Sequence, residues 1–188
     1  MAMRKGAAPG LACRSAVWRG HARPGAAPLR IAIAAIGRLK SGPERDLVDR
    51  YVERARALGR QIGLTGFDIA ESAEARAGSP AERKKQEAEP LLARLAPTDI
   101  VIALDETGRG LTSPDLARKI GAWRDENRPA ARFLVGGPDG LDRAVRQRAD
   151  LVLSFSPLTW PHQLVRVMLA EQLYRAATLL AGHPYHRN

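Results

Sequence analysis

Residues 99–113 read DIVIALDETGRGLTS, and their order of properties is that of a buried strand, a polar turn and the start of a helix. Ile100 to Leu104 form an apolar run without alternation, bounded by Asp99 and Asp105. A strand of that kind is covered on both faces, as in a parallel sheet. Asp105 to Gly110 reads as the loop at its C-terminal end, and Ser113-Pro114 places a cap and a proline where a helix begins.

The same alternation recurs on both sides of this stretch. Toward the N-terminus, residues 30–36 (RIAIAAI) predict a strand ended by Gly37. Residues 43–58 predict a helix with Leu47, Tyr51, Val52, Ala55 and Leu58 on one face and Gly59 as its stop. Residues 62–69 predict a strand weakened by Gly63 and Gly66. Ser79-Pro80-Ala81-Glu82 is a capping box opening a charged helix to about residue 95, on which Pro90 predicts a kink or early break.

Toward the C-terminus, the helix from Ser113 ends near Asn127, and residues 131–135 predict the next strand. The turn Gly136-Gly137-Pro138-Asp139-Gly140, a short helix over 141–148, a strand over 151–155 and a long helix over 161–180 follow. Five strands alternating with helices predict an α/β fold, a mainly parallel sheet flanked by helices. Ligands of such sheets bind beyond the carboxyl ends of the strands. The loops 105–110, 136–140 and 156–160 are therefore where a site is expected.

The chain of 188 residues carries a net charge of +10, and 25 of its 30 basic residues are arginine. Arginine suits bidentate phosphate recognition, and a basic surface favours a nucleic-acid partner. Cys13 is the one cysteine, which excludes an internal disulfide and fits a reducing compartment. No apolar run approaches the roughly 20 residues needed to span a bilayer. Residues 1–28 hold five basic and no acidic groups, broken by glycine and proline. They read as a disordered basic extension or an over-long gene start, leaving residues 29–188 as the folded domain with a charge of +10 − 5 = +5.

Several motifs can be weighed on spacing alone. Gly108-x-Gly110-x-x-Ser113 lacks the third glycine of a dinucleotide fingerprint, and no acidic residue ends the next strand. Gly136-Gly137 directly after a strand makes either a tight turn or a close backbone approach to a ligand. His183 and His186 lack further Cys, Asp or Glu partners nearby, so no metal site is expected. His162 reads as a helix-start residue. With Cys13 in the leader and no Gly-x-Ser-x-Gly elbow, covalent nucleophilic catalysis has no candidate. The final helix is apolar at Leu164, Val165, Met168, Leu169, Leu173, Ala176, Ala177 and Leu180, wide enough for burial against both the sheet and a second subunit. Arg166 interrupts that face, Glu171 and Arg175 form an i, i+4 brace, and the tail HPYHRN carries two histidines, a tyrosine and an arginine.

The blocks DIVIALDETGRGLTS, FLVGGPDGL, LVLSFSPLTWPHQLVRVMLAEQLYRA and HPYHR, in that order, strongly resemble the RlmH family of bacterial large-subunit ribosomal RNA methyltransferases. The resemblance spans about residues 29–188; the 28-residue leader is a departure from it. It implies a SPOUT-type fold with a C-terminal trefoil knot, S-adenosyl-L-methionine as cofactor and a homodimer. The implied reaction is methylation of N3 of the pseudouridine at position 1915 of 23S ribosomal RNA, in the cytoplasm and within the ribosome. The implied cofactor contacts are Leu104, Gly136, Phe155, Ser156, Pro157, Leu158, Thr159 and Trp160. His186 is then a candidate general base, Tyr185 a group to stack on or bond the target base, and Arg187 and Arg166 groups to hold phosphate or a deprotonated ring. A SPOUT enzyme acting on transfer RNA and a non-enzymatic ribosome-binding factor are the rival readings.

Overall fold

The computed structural model describes residues 27–183. Its strands are β1 (Leu29–Ile36), β2 (Leu64–Ser72), β3 (Ile100–Gly110), β4 (Ala130–Val135) and β5 (Leu151–Ser154). Its helices are α1 (Pro43–Gly59), α2 (Pro80–Leu92), α3 (Ser113–Asp125), α4 (Arg143–Arg148) and α5 (His162–Ala181), with one 3-10 turn at Arg60–Ile62. All strands pair in parallel, in the order β2-β1-β4-β3-β5.

That order decides which helix covers which face. The steps β1 to β2 and β3 to β4 run one way across the sheet, and β2 to β3 and β4 to β5 run the other. With a constant crossover handedness, a reversed step puts the connecting helix on the opposite face. Accordingly α1, α3 and α5 pack on Ile31, Ile33, Ile102 and Phe133, whereas α2 and α4 pack on Ala34, Ile36, Val101 and Leu134. Successive residues of β1, β3 and β4 thus alternate between two cores, which is why these strands read as continuous apolar runs.

Local chemistry sets the helix starts. Ser79 Oγ accepts from Glu82 N at 3.2 Å while Ser79 N donates to Glu82 Oε2 at 3.3 Å, completing the expected capping box of α2. Thr112 caps α3 and Asp142 caps α4 through their side-chain oxygens. The helix α2 passes through Pro90 and stops at Leu92, three residues before the expected end, with Ala93 N still donating to Glu89 O at 2.9 Å.

Two local expectations are corrected. Gly59 does not end α1 in a left-handed conformation; it continues into the 3-10 turn, and Gly63 at φ 71° makes the reversal. Gly59 is instead a point of close approach, where a Cβ would sit 2.8 Å from Leu64 O and 2.9 Å from Phe67 Cε2. Residues 105–110, expected as a loop, belong to β3. Arg109 and Gly110 pair with Leu153 and Ser154 after a register shift, so Leu153 is partnered by both Leu104 and Arg109. The sequence of polar and glycine residues disguised an irregular strand as a loop.

Candidate functional site

A cavity of about 840 Å³ opens at the carboxyl ends of β3, β4 and β5. Its walls come from three segments: 104–107, 135–141 and 153–165. Of the eight residues expected to hold a cofactor, Leu104, Gly136, Phe155, Ser156, Leu158, Thr159 and Trp160 line it, and Pro157 does not. The topology therefore brings together residues up to 56 positions apart, because neighbouring parallel strands end at one edge.

The turn 136–140 is closed against itself. Gly140 N donates to Gly137 O at 3.0 Å, and Gly140 takes a φ of 85°. A Cβ on Gly136 would lie 2.7 Å from Gly140 C and 3.1 Å from Leu141 N, so no larger residue fits there. Arg83 of α2 holds Asp139 with both Nε at 2.7 Å and Nη2 at 3.1 Å, tying the turn to the helix beside it. Asp139 is held below the usual carboxylate range by that hydrogen bond with Arg83.

Hydroxyls organise the third segment. Ser156 N donates to Ser154 Oγ at 3.2 Å, and Ser154 Oγ donates to Ser156 O at 2.9 Å. Leu158 N donates to Ser156 Oγ at 2.9 Å, while Thr159 Oγ1 donates to Glu106 Oε2 at 3.1 Å and bridges to β3. These side chains satisfy backbone groups in a segment without regular pairing. The polar residues in 154–159 thus shape the wall.

Charge is placed at defined points around the cavity. Asp105 lies against the wall, where burial works to raise its pKa. The Thr107 hydroxyl and backbone N–H, with the Arg146 guanidinium, outweigh burial and hold it below the ordinary value. Lys84 and Arg146 add cations to the lining. His162, at the start of α5, also lines it; burial and the charge of Arg166 push its imidazole below the ordinary value, while Glu74 pulls upward. Sequence reasoning passed over His162 as a helix-start residue. Pro161-His162 directly after the 156–160 loop was the available signal.

Arg166 lies one turn further along α5 and is 1% exposed. Its Nη1 donates to Gly37 O and to Glu71 Oε1, both at 3.0 Å, and its Nη2 donates to Ile36 O at 2.7 Å. The guanidinium is thereby turned toward the ends of β1 and β2. Tyr185, His186 and Arg187 lie outside the described residues, as does the expected leader apart from residues 27 and 28.

The cavity has apolar walls in Leu104, Val135, Leu141, Leu153 and Phe155, with backbone polar groups from two turns and a few charged side chains. Its volume lies in the upper part of the range for small-molecule sites, about 300–1,000 Å³. Beside its mouth, Leu158 (68% exposed), Trp160 (41%) and Leu164 (38%) leave apolar surface open. No helix among the described residues is long and apolar enough to cross a membrane.

A sequence-family model described as a predicted SPOUT methyltransferase matches residues 29–186 of the chain. The ribosomal RNA large subunit methyltransferase H of Mesorhizobium japonicum is 54% identical over 159 residues, covering 85% of this chain and 99% of that protein. Its namesake from Bradyrhizobium sp. is 51% identical over 159 residues with the same coverage. Among solved structures, the SpoU methyltransferase AviRb from Streptomyces viridochromogenes in complex with AdoMet aligns over 84% of this chain and 60% of its own, at 16% identity and a TM-score of 0.35.

Proposed function

The chain belongs to the SPOUT methyltransferase family, and on that premise we propose that it methylates large-subunit ribosomal RNA, at N3 of the pseudouridine at position 1915 of 23S RNA. The carrying observation is that seven of the eight expected cofactor residues, from three separate segments, line one cavity. The target follows the ribosomal RNA large subunit methyltransferases H, about half identical to this chain over nearly their whole length.

S-adenosyl-L-methionine fits this cavity and supplies an electrophilic methyl group on a sulfonium. Leu104, Phe155, Leu158 and Trp160 offer apolar contact to its adenosine. The turn closed at Gly136 presents its backbone to the cavity, and Ser156 and Thr159 hold the facing wall in shape. Fixing donor and acceptor in line supplies much of the rate, since alignment converts a bimolecular step into an effectively unimolecular one. The acceptor nitrogen must also lose a proton, to His186 or to a group of the cavity wall. Tyr185 and Arg187 act on the substrate side, stacking on the base and holding phosphate. Lys84, Arg146 and the +10 net charge favour an RNA partner.

The knot and the homodimer are part of the same reading. Leu153 pairs with β3 on both sides of its register shift, and a Cβ on Gly108 would lie 2.8 Å from the Val152 and Leu153 backbone. Residues 105–108 thus bulge from the ladder with Gly108 against the backbone of β5, a close crossing compatible with the knot that the resemblance implies. The apolar surface at Leu158, Trp160 and Leu164 supports a second subunit that closes the site. The enzyme would work in the cytoplasm, where its ribosomal substrate is.

The direct test is methyl incorporation from labelled S-adenosyl-L-methionine into ribosomes, isolated subunits and free RNA from a strain lacking the modification. Transfer to N3 of that pseudouridine is expected. Transfer to transfer RNA alone, or no transfer and no cofactor binding by calorimetry, overturns the proposal.

A further inference from the structure

We propose that His162 accepts the proton released by the acceptor nitrogen during methyl transfer. The inference rests on the methyl-transfer reading above and names the group that completes its proton balance. As the methyl–sulfur bond breaks, sulfur keeps the electron pair and becomes a neutral thioether. The nitrogen–carbon bond forms, the N–H proton passes to the imidazole, and His162 becomes an imidazolium.

Geometry carries the assignment. His162 lines the same cavity as Leu104, Gly136 and Phe155, and its side chain is 19% exposed. It stands on the first residue of a 20-residue helix behind Pro161, so its backbone is fixed rather than carried on a loop. Its Nε2 lies 3.7 Å from Glu74 Oε1. A Cβ placed on Gly37, which has a φ of 84°, would meet Glu74 Oε1 at 2.7 Å, Arg166 Nη2 at 3.1 Å and His162 Nε2 at 3.3 Å. Three side chains, Glu74 from just after β2 and His162 and Arg166 from α5, therefore converge over the end of β1, and only glycine leaves room for them.

The charges around this point have opposed effects. Arg166 is fixed by Ile36 O, Gly37 O and Glu71, and Glu71 is in turn held by Arg45 at 3.0 Å. Burial and that fixed cation keep the imidazole neutral before reaction, so its lone pair is available near neutral pH. Glu74 faces the same nitrogen, Nε2, at 3.7 Å and stabilises the imidazolium that the transfer creates. The cavity's other candidates are less suited. Asp105 is held below the carboxylate range and bonded to Thr107 and Arg146, and Glu106 is engaged by Thr159. A general base works best with a pKa near the working pH.

The test measures kcat for methyl transfer to ribosomal substrate from a strain lacking the modification, between pH 5 and 9, with cofactor affinity by calorimetry. His162→Gln is expected to lower kcat by about 10²–10⁴-fold, the usual worth of a positioned base, with cofactor binding retained. The wild-type rate should fall with acid along a limb below the ordinary imidazole pKa. Glu74→Gln should move that limb to lower pH, because it removes the charge that raises the imidazole pKa; a merely structural histidine would not respond so. His186→Ala should keep the limb. A His162→Gln enzyme with near wild-type kcat, or a limb lost with His186 and kept without His162, overturns the assignment. Absence of transfer by the wild-type chain overturns the methyl-transfer reading itself.

Discussion

A guanidinium with 1% exposure can stay charged only if oxygens replace the water it has lost, and Arg166 meets three: Ile36 O, Gly37 O and the Glu71 carboxylate. Its Nε has no protein partner among the described residues. Removing the cation leaves two carbonyls without their donor and reduces the partners of Glu71 to Arg45 and Leu39 N. Arg166→Met is therefore expected to cost about 3–5 kcal/mol, the range for breaking a buried pair from one side, read by urea unfolding. Arg166→Met with Glu71→Gln should recover part of that loss. The single variant should also raise the His162 pKa, since the nearest repelling charge is gone. Nothing in the sequence tells a buried arginine from one that grips phosphate; both interrupt an apolar face. Burial and the partner list distinguish them, and they favour a positioning role over a direct hold on phosphate.

At the scale of elements, α2 illustrates how one helix serves stability and binding through different residues. Its capping box satisfies backbone groups at the helix start, so Ser79→Ala should cost about 0.5–2 kcal/mol in chemical unfolding and leave cofactor affinity unchanged. Four residues on, Arg83 grips Asp139 in the turn that forms one wall of the cavity. Arg83→Ala should therefore weaken cofactor binding several-fold in calorimetry while shifting the unfolding midpoint little, as befits an ion pair near solvent. Equal effects of both variants on binding would show that the turn is held by the helix as a whole. The capping box was legible because its signal lies within four residues. The Arg83–Asp139 clamp, spanning 56 positions, was not. The loop expected at 105–110 failed for a related reason: its pairing with β5 is set by a strand more than 40 residues later.

For the molecule as a whole, α5 separates two kinds of apolar residue that the sequence places on one broad face. Leu169, Leu173, Ala176, Ala177 and Leu180 are buried against α1, α3 and the sheet, whereas Leu164 stays exposed beside Leu158 and Trp160. A fully buried leucine is worth roughly 1.5–3 kcal/mol, so the inner residues hold the fold while the outer ones remain open for an interface. A solution mass of about twice the 20.4 kDa chain is expected by light scattering. Leu164→Asp should shift it toward the monomer and lower methyl transfer together. A monomeric wild type with full activity would refute the dimer.

The sequence by itself determined the five strands, the helices between them and the edge at which a site must open, because strand character, capping and parallel pairing are written in short runs of neighbouring residues. Its similarity to known blocks singled out Leu104, Gly136 and the 155–160 segment. Only the tertiary structure decided which of the three loops was really strand, that Arg166 is enclosed, and that His162 and Glu74 meet beside the cavity. Those outcomes depend on the strand order and on which helix lands on which face. They are set by crossover geometry and competition for buried space, which act between residues far apart in the chain and leave little local trace in it.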